Sequence, residues 1–157
     1  MAKRGLLVIA LAMLVVGFGG LVVTSTSLAG APWPLGGFTS NGQRIFFTAT
    51  DSSGRPIPYR GGMMMRMACA NCHGPDGQGL WTPMFVSPNI TYKNLTSPDG
   101  MLEPDGGRGH TYTDETIKRA IAQGVDPEGE PLQWPMPRWR MSERDLDDLI
   151  AFLKTLP

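Results

Sequence analysis

The sequence predicts an all-α domain of short helices and long loops, placed behind a single apolar N-terminal helix. Three observations carry this. Two segments near the C-terminus repeat apolar residues at i, i+3 and i+4 behind polar capping residues. The 20 glycines and 14 prolines gather in residues 30–39, 54–62, 74–79 and 124–137, where they interrupt regular structure. No apolar–polar alternation runs long enough to predict a strand, and there is no internal repeat.

The elements follow in chain order. Lys3 and Arg4 precede residues 5–23, GLLVIALAMLVVGFGGLVV, which contain no polar side chain, and the next charge is Arg44. A bilayer core needs about 20 apolar residues in a helix, and the apolar part of a signal peptide is usually about 7–15. Length therefore favours a retained anchor over residues 1–29. Ser27-Leu28-Ala29 keeps a cleavable signal open as the rival reading. Either way the Lys/Arg flank stays in the cytoplasm and the chain beyond residue 30 lies outside. Residues 30–39 read as a linker and 40–157 as the exported domain.

Within that domain, Ser40 or Asn41 caps a short helix through Gln43–Phe46. Residues 49–62 read as loop, because Gly54, Pro56 and Pro58 oppose a regular element, and residues 74–110 read as irregular chain. Thr113, followed by Asp114 and Glu115, starts a helix whose apolar face is Ile117, Ala120 and Ile121, with Gly124 as its stop. Ser142-Glu143-Arg144-Asp145 has capping-box spacing with Asp in place of Glu. Leu146, Leu149, Ile150 and Leu153 then form the stripe of a final helix. These helices alone supply a thin core, a gap that a large bound cofactor would fill. The 14 basic and 14 acidic side chains balance, which speaks against a nucleic-acid partner.

Chemistry concentrates in Cys69-Ala70-Asn71-Cys72-His73. The chain has only two cysteines and two histidines. A disulfide or a thiol-exchange pair leaves the adjacent histidine unexplained. A structural zinc site wants four ligands, and His110 is the sole remaining histidine to help supply them. C-x-x-C-H is the signature of c-type haem attachment, and it explains all three residues at once. The expected cofactor is one covalent haem c on Cys69 and Cys72, with His73 beneath the iron.

The second axial position has many suitors among ten methionines. Met63, Met64, Met65 and Met67 lead directly into the attachment turn, and chain reach tethers them to the His73 side. Met136 lies beyond an intervening helix, between Pro135 and Pro137, which stiffen the backbone around it. Met136 is the favoured ligand. Met141, Met84, Met101 and His110 are the rivals, and the Met63–Met67 group is assigned to packing beside the porphyrin or a partner.

Four stretches, ACANCHGPDGQG, PNIT at 88–91, TDETIKRAIAQGVDPEGEPL and WPMPRWRMSERDLDDLIAFLKTLP, together resemble the class I cytochrome c family over roughly residues 40–157. The resemblance implies a helical fold in which the first and last helices pack near the haem edge, with Phe46 against Leu149 or Phe152. It also implies a proline carbonyl, from Pro83 or Pro88, accepting a hydrogen bond from His73. Arg138 and Trp139 are candidates for contact with a haem propionate or the haem edge, and solvated surface is the alternative. The anchor, the GGMMMRM lead-in and the MPRW loop in combination look like monohaem subunits of bacterial respiratory membrane complexes. Alternative complex III, a quinol-oxidising assembly, is one such setting.

The expected function is electron transfer, with no catalytic residues, since two axial ligands leave no open iron site. The protein is expected to be a single-pass subunit of a respiratory or photosynthetic complex in the bacterial cytoplasmic membrane. Its haem domain would lie on the periplasmic side, with redox proteins and other complex subunits as partners. An independent anchored or periplasmic shuttle is the alternative, and a haem enzyme or gas sensor a more distant one.

Overall fold

A computed structural model describes residues 37–157. The expected anchor and most of the linker lie outside the described residues, none of which forms a helix long and apolar enough to cross a membrane. In chain order the elements are α1 (Asn41–Thr48), β1 (Tyr59–Arg60), α2 (Cys69–His73), β2 (Leu80–Trp81), β3 (Val86–Ser87), α3 (Tyr92–Leu95), α4 (Asp114–Gln123), β4 (Arg138–Trp139) and α5 (Glu143–Leu153).

The caps explain the helix starts. Ser40 Oγ accepts from Gln43 N at 3.1 Å, so Ser40 rather than Asn41 caps α1. Thr113 and Thr116 form a reciprocal box at the start of α4, with Thr113 N donating to Thr116 Oγ1 at 2.7 Å. At α5 the shorter Asp145 does not close the expected box. Ser142 Oγ accepts from Asp145 N at 3.1 Å and donates to the Asp145 carboxylate at 2.6 Å.

The core forms where α1 crosses α5. A Cβ on Gly42 would stand 1.9 Å from the Asp148 carbonyl oxygen, so only glycine lets the two backbones approach this closely. Asn41 Nδ2 pins the crossing by donating to Asp145 (3.0 Å) and Asp148 (2.8 Å). Phe46 is fully buried, with its ring 5.2 Å from that of Phe152, and Leu149 is buried beside it. The predicted stripes of α4 and α5 are buried as expected.

The long loops are more structured than the sequence suggests. β1 pairs antiparallel with β4, and β2 with β3. Each strand is two residues long, too short to leave any alternation in the sequence. The β2–β3 hairpin closes over the end of α2. Gly79 N donates to the His73 carbonyl at 2.8 Å, and Ser87 Oγ donates to the Cys72 carbonyl and accepts from Leu80 N at 2.8 Å. It thereby satisfies carbonyls that a helix end leaves without partners.

Candidate haem-binding site

α2 is barely more than one turn, and its start is stabilised by Asn71, whose side-chain oxygen accepts from Ala68 N at 2.8 Å. Residues three apart on a helix share a face, so the turn sets Cys69 and Cys72 together and places His73 next to them. The two cysteines are not joined to each other in a disulfide. Burial pushes the Cys69 thiol up to about 12 and raises that of Cys72. Thiol-exchange pairs work through lowered thiol pKa values, so this environment is wrong for them.

His73 is buried. Its Nδ1 lies 2.9 Å from the Pro88 carbonyl, so Pro88 rather than Pro83 is the proline that orients it. The carbonyl only accepts, so Nδ1 carries the proton and Nε2 keeps its lone pair. Burial lowers the imidazole pKa, against a smaller raising effect of the Pro88 bond, and thus favours the neutral ring that a metal requires.

These three residues form one wall of a cavity of about 400 Å³, within the usual range for small-molecule sites. Its other walls are mainly apolar. They come from Phe46 of α1, Leu149 and Leu153 of α5, Ile117 and Ile121 of α4, Leu95 of α3, and the Leu132–Pro137 segment. Two thiols, an imidazole with a free nitrogen, a thioether and apolar walls suit a haem c.

The structure brings some predicted residues to this cavity and leaves others away from it. Met136 lines it, as do Met63, Met65, Met67 and Met101; Met84, Met141 and His110 do not. His110 is instead engaged by Asp126 (Nε2 to Oδ2, 3.1 Å) and Glu128 (Nδ1 to Oε1, 3.4 Å). Among the described residues no three His, Cys, Asp or Glu side chains gather to hold a metal ion, so a Cys2His2 zinc site has no geometry here.

The methionine lead-in takes a different course from the one chain reach suggests. After pairing with β4, the chain runs beside the Met136 loop. A Cβ on Gly62 would stand 3.0 Å from Pro137 Cβ and 3.3 Å from the Pro135 carbonyl oxygen. The lead-in therefore starts at the Met136 loop and ends at Cys69. Met64 points fully into solvent, while its three companions line the cavity.

Trp139 is buried and lines the cavity. Its ring centroid lies 5.1 Å from that of Tyr59, a further aromatic of the wall that no motif in the sequence marks. No periodicity signals Tyr59, because the β1–β4 pairing alone brings it there. Arg138 does not line the cavity. Its guanidinium donates to the carbonyls of Leu132 (2.8 Å), Gly124 (3.3 Å) and Met136. Ser87, which ties the hairpin to α2, was likewise not singled out by any motif.

A family model described as Cytochrome c matches residues 40–157. No curated protein and no solved structure matches the chain. The matched span starts at the cap of α1, covers every element that lines the cavity, and ends at the last residue. The chain therefore belongs to the cytochrome c family, whose members bind haem covalently and transfer electrons.

Proposed function

We propose that the chain carries one haem c, attached through Cys69 and Cys72, with His73 and Met136 as axial ligands. It serves as an electron carrier held at the outer face of a bacterial cytoplasmic membrane by residues 5–23. The observation that carries this reading is one cavity lined by both thiols, by an imidazole with its Nε2 free, and by a thioether between two prolines.

Each residue has a physical task. Pro88 fixes the tautomer and ring plane of His73 through the 2.9 Å bond, which also strengthens the imidazole as a ligand. The proline-flanked loop presents Met136 with little conformational freedom left to lose. Tyr59, Trp139, Phe46 and Leu149 give the cavity largely apolar walls. A bound haem supplies the one-electron chemistry, and histidine–methionine ligation favours a raised reduction potential.

Absorption spectra of the wild type and Met136→Ala test the ligand set. The methionine-to-ferric-iron band should be present in the first and absent in the second; its survival in Met136→Ala would move the ligand elsewhere. Carbon monoxide should bind the reduced wild type poorly at neutral pH and the variant readily. Haem quantitation should give one per chain.

Membership of a respiratory or photosynthetic membrane complex is the further part of the proposal. The continuous apolar run of residues 5–23 and the GGMMMRM and MPRW stretches support it. Purification in mild detergent should bring down further subunits. A lone 17.0 kDa species would favour the independent shuttle.

A further inference from the structure

The loop between α4 and β4 carries Met136 yet has little regular structure to hold it. Its first half is closed by bonds of its own, among them Asp126 N to Glu130 O at 2.9 Å and Gly129 N to Asp126 O at 3.1 Å, and by Arg119, which donates to the Asp126 and Pro127 carbonyls; the half that carries Met136 has only Leu132 N to Gly124 O at 2.8 Å and Met136 N to Gln133 O at 3.2 Å. Three of its carbonyl oxygens, on Gly124, Leu132 and Met136, converge instead on the one guanidinium of Arg138, with that of Gln133 at 3.5 Å at the outer limit. Arginine is suited to this because its planar fork has five donors in fixed directions. The receiving slot is at the end of α4. Gly124 is the left-handed cap of that helix (φ 72°), and a Cβ there would stand 2.0 Å from Arg138 Nε and 2.5 Å from Cζ. Gly124 thus ends the helix and vacates the space that the guanidinium fills.

We propose that Arg138 and Gly124 form a latch that positions Met136. The guanidinium, seated over the glycine, gathers the loop carbonyls and holds the thioether at the iron. Arg138 is a positioning residue in this scheme; it does not line the cavity. The inference rests on Met136 being the axial ligand. Lysine would keep the charge but, as a point donor, could not span the separated carbonyls. Alanine at position 124 would leave Arg138 chemically intact and evict it from its seat.

The test is competition by free imidazole for the ferric iron of the full-length holoprotein, followed in every variant by the shift of the Soret band and, where Met136 is present, also by loss of the methionine band. Met136→Ala sets the limit of unopposed binding. Arg138→Lys and Gly124→Ala should each lower the apparent Kd for imidazole about tenfold or more, the worth of one or more charge-assisted bonds. The double variant should bind little more tightly than either single one, since both break the same contact. If Met136→Ala binds imidazole no more tightly than the wild type, the ligand assignment fails. If it binds more tightly while Arg138→Lys and Gly124→Ala match the wild type, the latch alone is overturned. Loosening in Arg138→Met together with wild-type behaviour in Arg138→Lys would also overturn it, because charge rather than geometry would then be at work. Gly124→Ala keeps the test decisive should the Arg138 variants fail to fold.

Discussion

The His73 wall and the Met136 wall of the cavity are held by different means. On the His73 side the support is local in sequence. α2, the β2–β3 hairpin and Pro88 lie within residues 69–88, and each bond spans a short loop. On the Met136 side part of the support is assembled from afar. β1 and Gly62 reach the loop from the first third of the domain, and Arg138 folds back on the carbonyls ahead of it. One wall depends on a compact motif alone and the other on a local latch together with tertiary packing. The His73 wall should therefore survive perturbations that loosen the Met136 wall.

The largest expected effect removes the contrast altogether. Cys69→Ala combined with Cys72→Ala should abolish covalent haem, read as complete loss of haem stain on a denaturing gel. Retention of stain would refute the attachment sites.

Next is the crossing on which both walls lean. Leu149→Ala, at a position 2% exposed, should cost about 2–5 kcal/mol in denaturant unfolding. It should weaken both sides together, so band intensity and far-UV signal should be lost in one transition. Two separated transitions would show that the walls do not share this core.

A smaller effect separates them. Ser87→Ala removes the hydroxyl that joins the hairpin to Cys72 O and Leu80 N and should cost about 1–3 kcal/mol for the unsatisfied groups. Amide exchange should speed up over residues 79–88 and stay unchanged over 124–137. Faster exchange in both regions would erase the distinction drawn above.

The smallest effect concerns pH. Lys154 donates to Asp114 at 2.9 Å, and this bond, with a second from Tyr92, holds the Asp114 carboxyl below its ordinary value of 3.8. A carboxylate whose folded pKa is depressed adds stability above the unfolded pKa and loses it as pH falls below. The wild type should therefore lose a little stability from about pH 3.8 downward, and Lys154→Met should flatten that part of the profile. Both groups are well exposed to solvent, so the change should be small and weakened by salt. An unaltered profile would remove this pair from the account.

Legibility followed the same divide. The attachment turn, the stripes and caps of α4 and α5, and the stop at Gly124 could be read because their signals lie within a few residues of one another. Met136 could be singled out because its flanking prolines advertise a stiff loop. Pro83 and Pro88 could not be told apart. The choice depends on a hairpin closed by two-residue strands and one serine, none of which leaves a periodic trace. The direction of Arg138 was equally hidden, since an arginine beside a haem cavity serves a propionate or a carbonyl cluster with the same donors.

The methionine lead-in departs from the course that chain reach suggests for a related reason. Distance along the chain from Cys69 sets how far these residues can reach but not their direction. The β1–β4 pairing sets the direction.

By itself the sequence determined the family, the C-x-x-C-H turn and the longer helices, because motif spacing and helical periodicity are written in consecutive residues; α3, one turn inside a stretch that reads as irregular, left no such trace. Only the tertiary structure decided which proline carbonyl meets His73, which methionines share its cavity, and where Arg138 points. Those outcomes depend on contacts between residues distant in the chain, where the geometry of the α1–α5 crossing and the two short strand pairs outweighs any local preference.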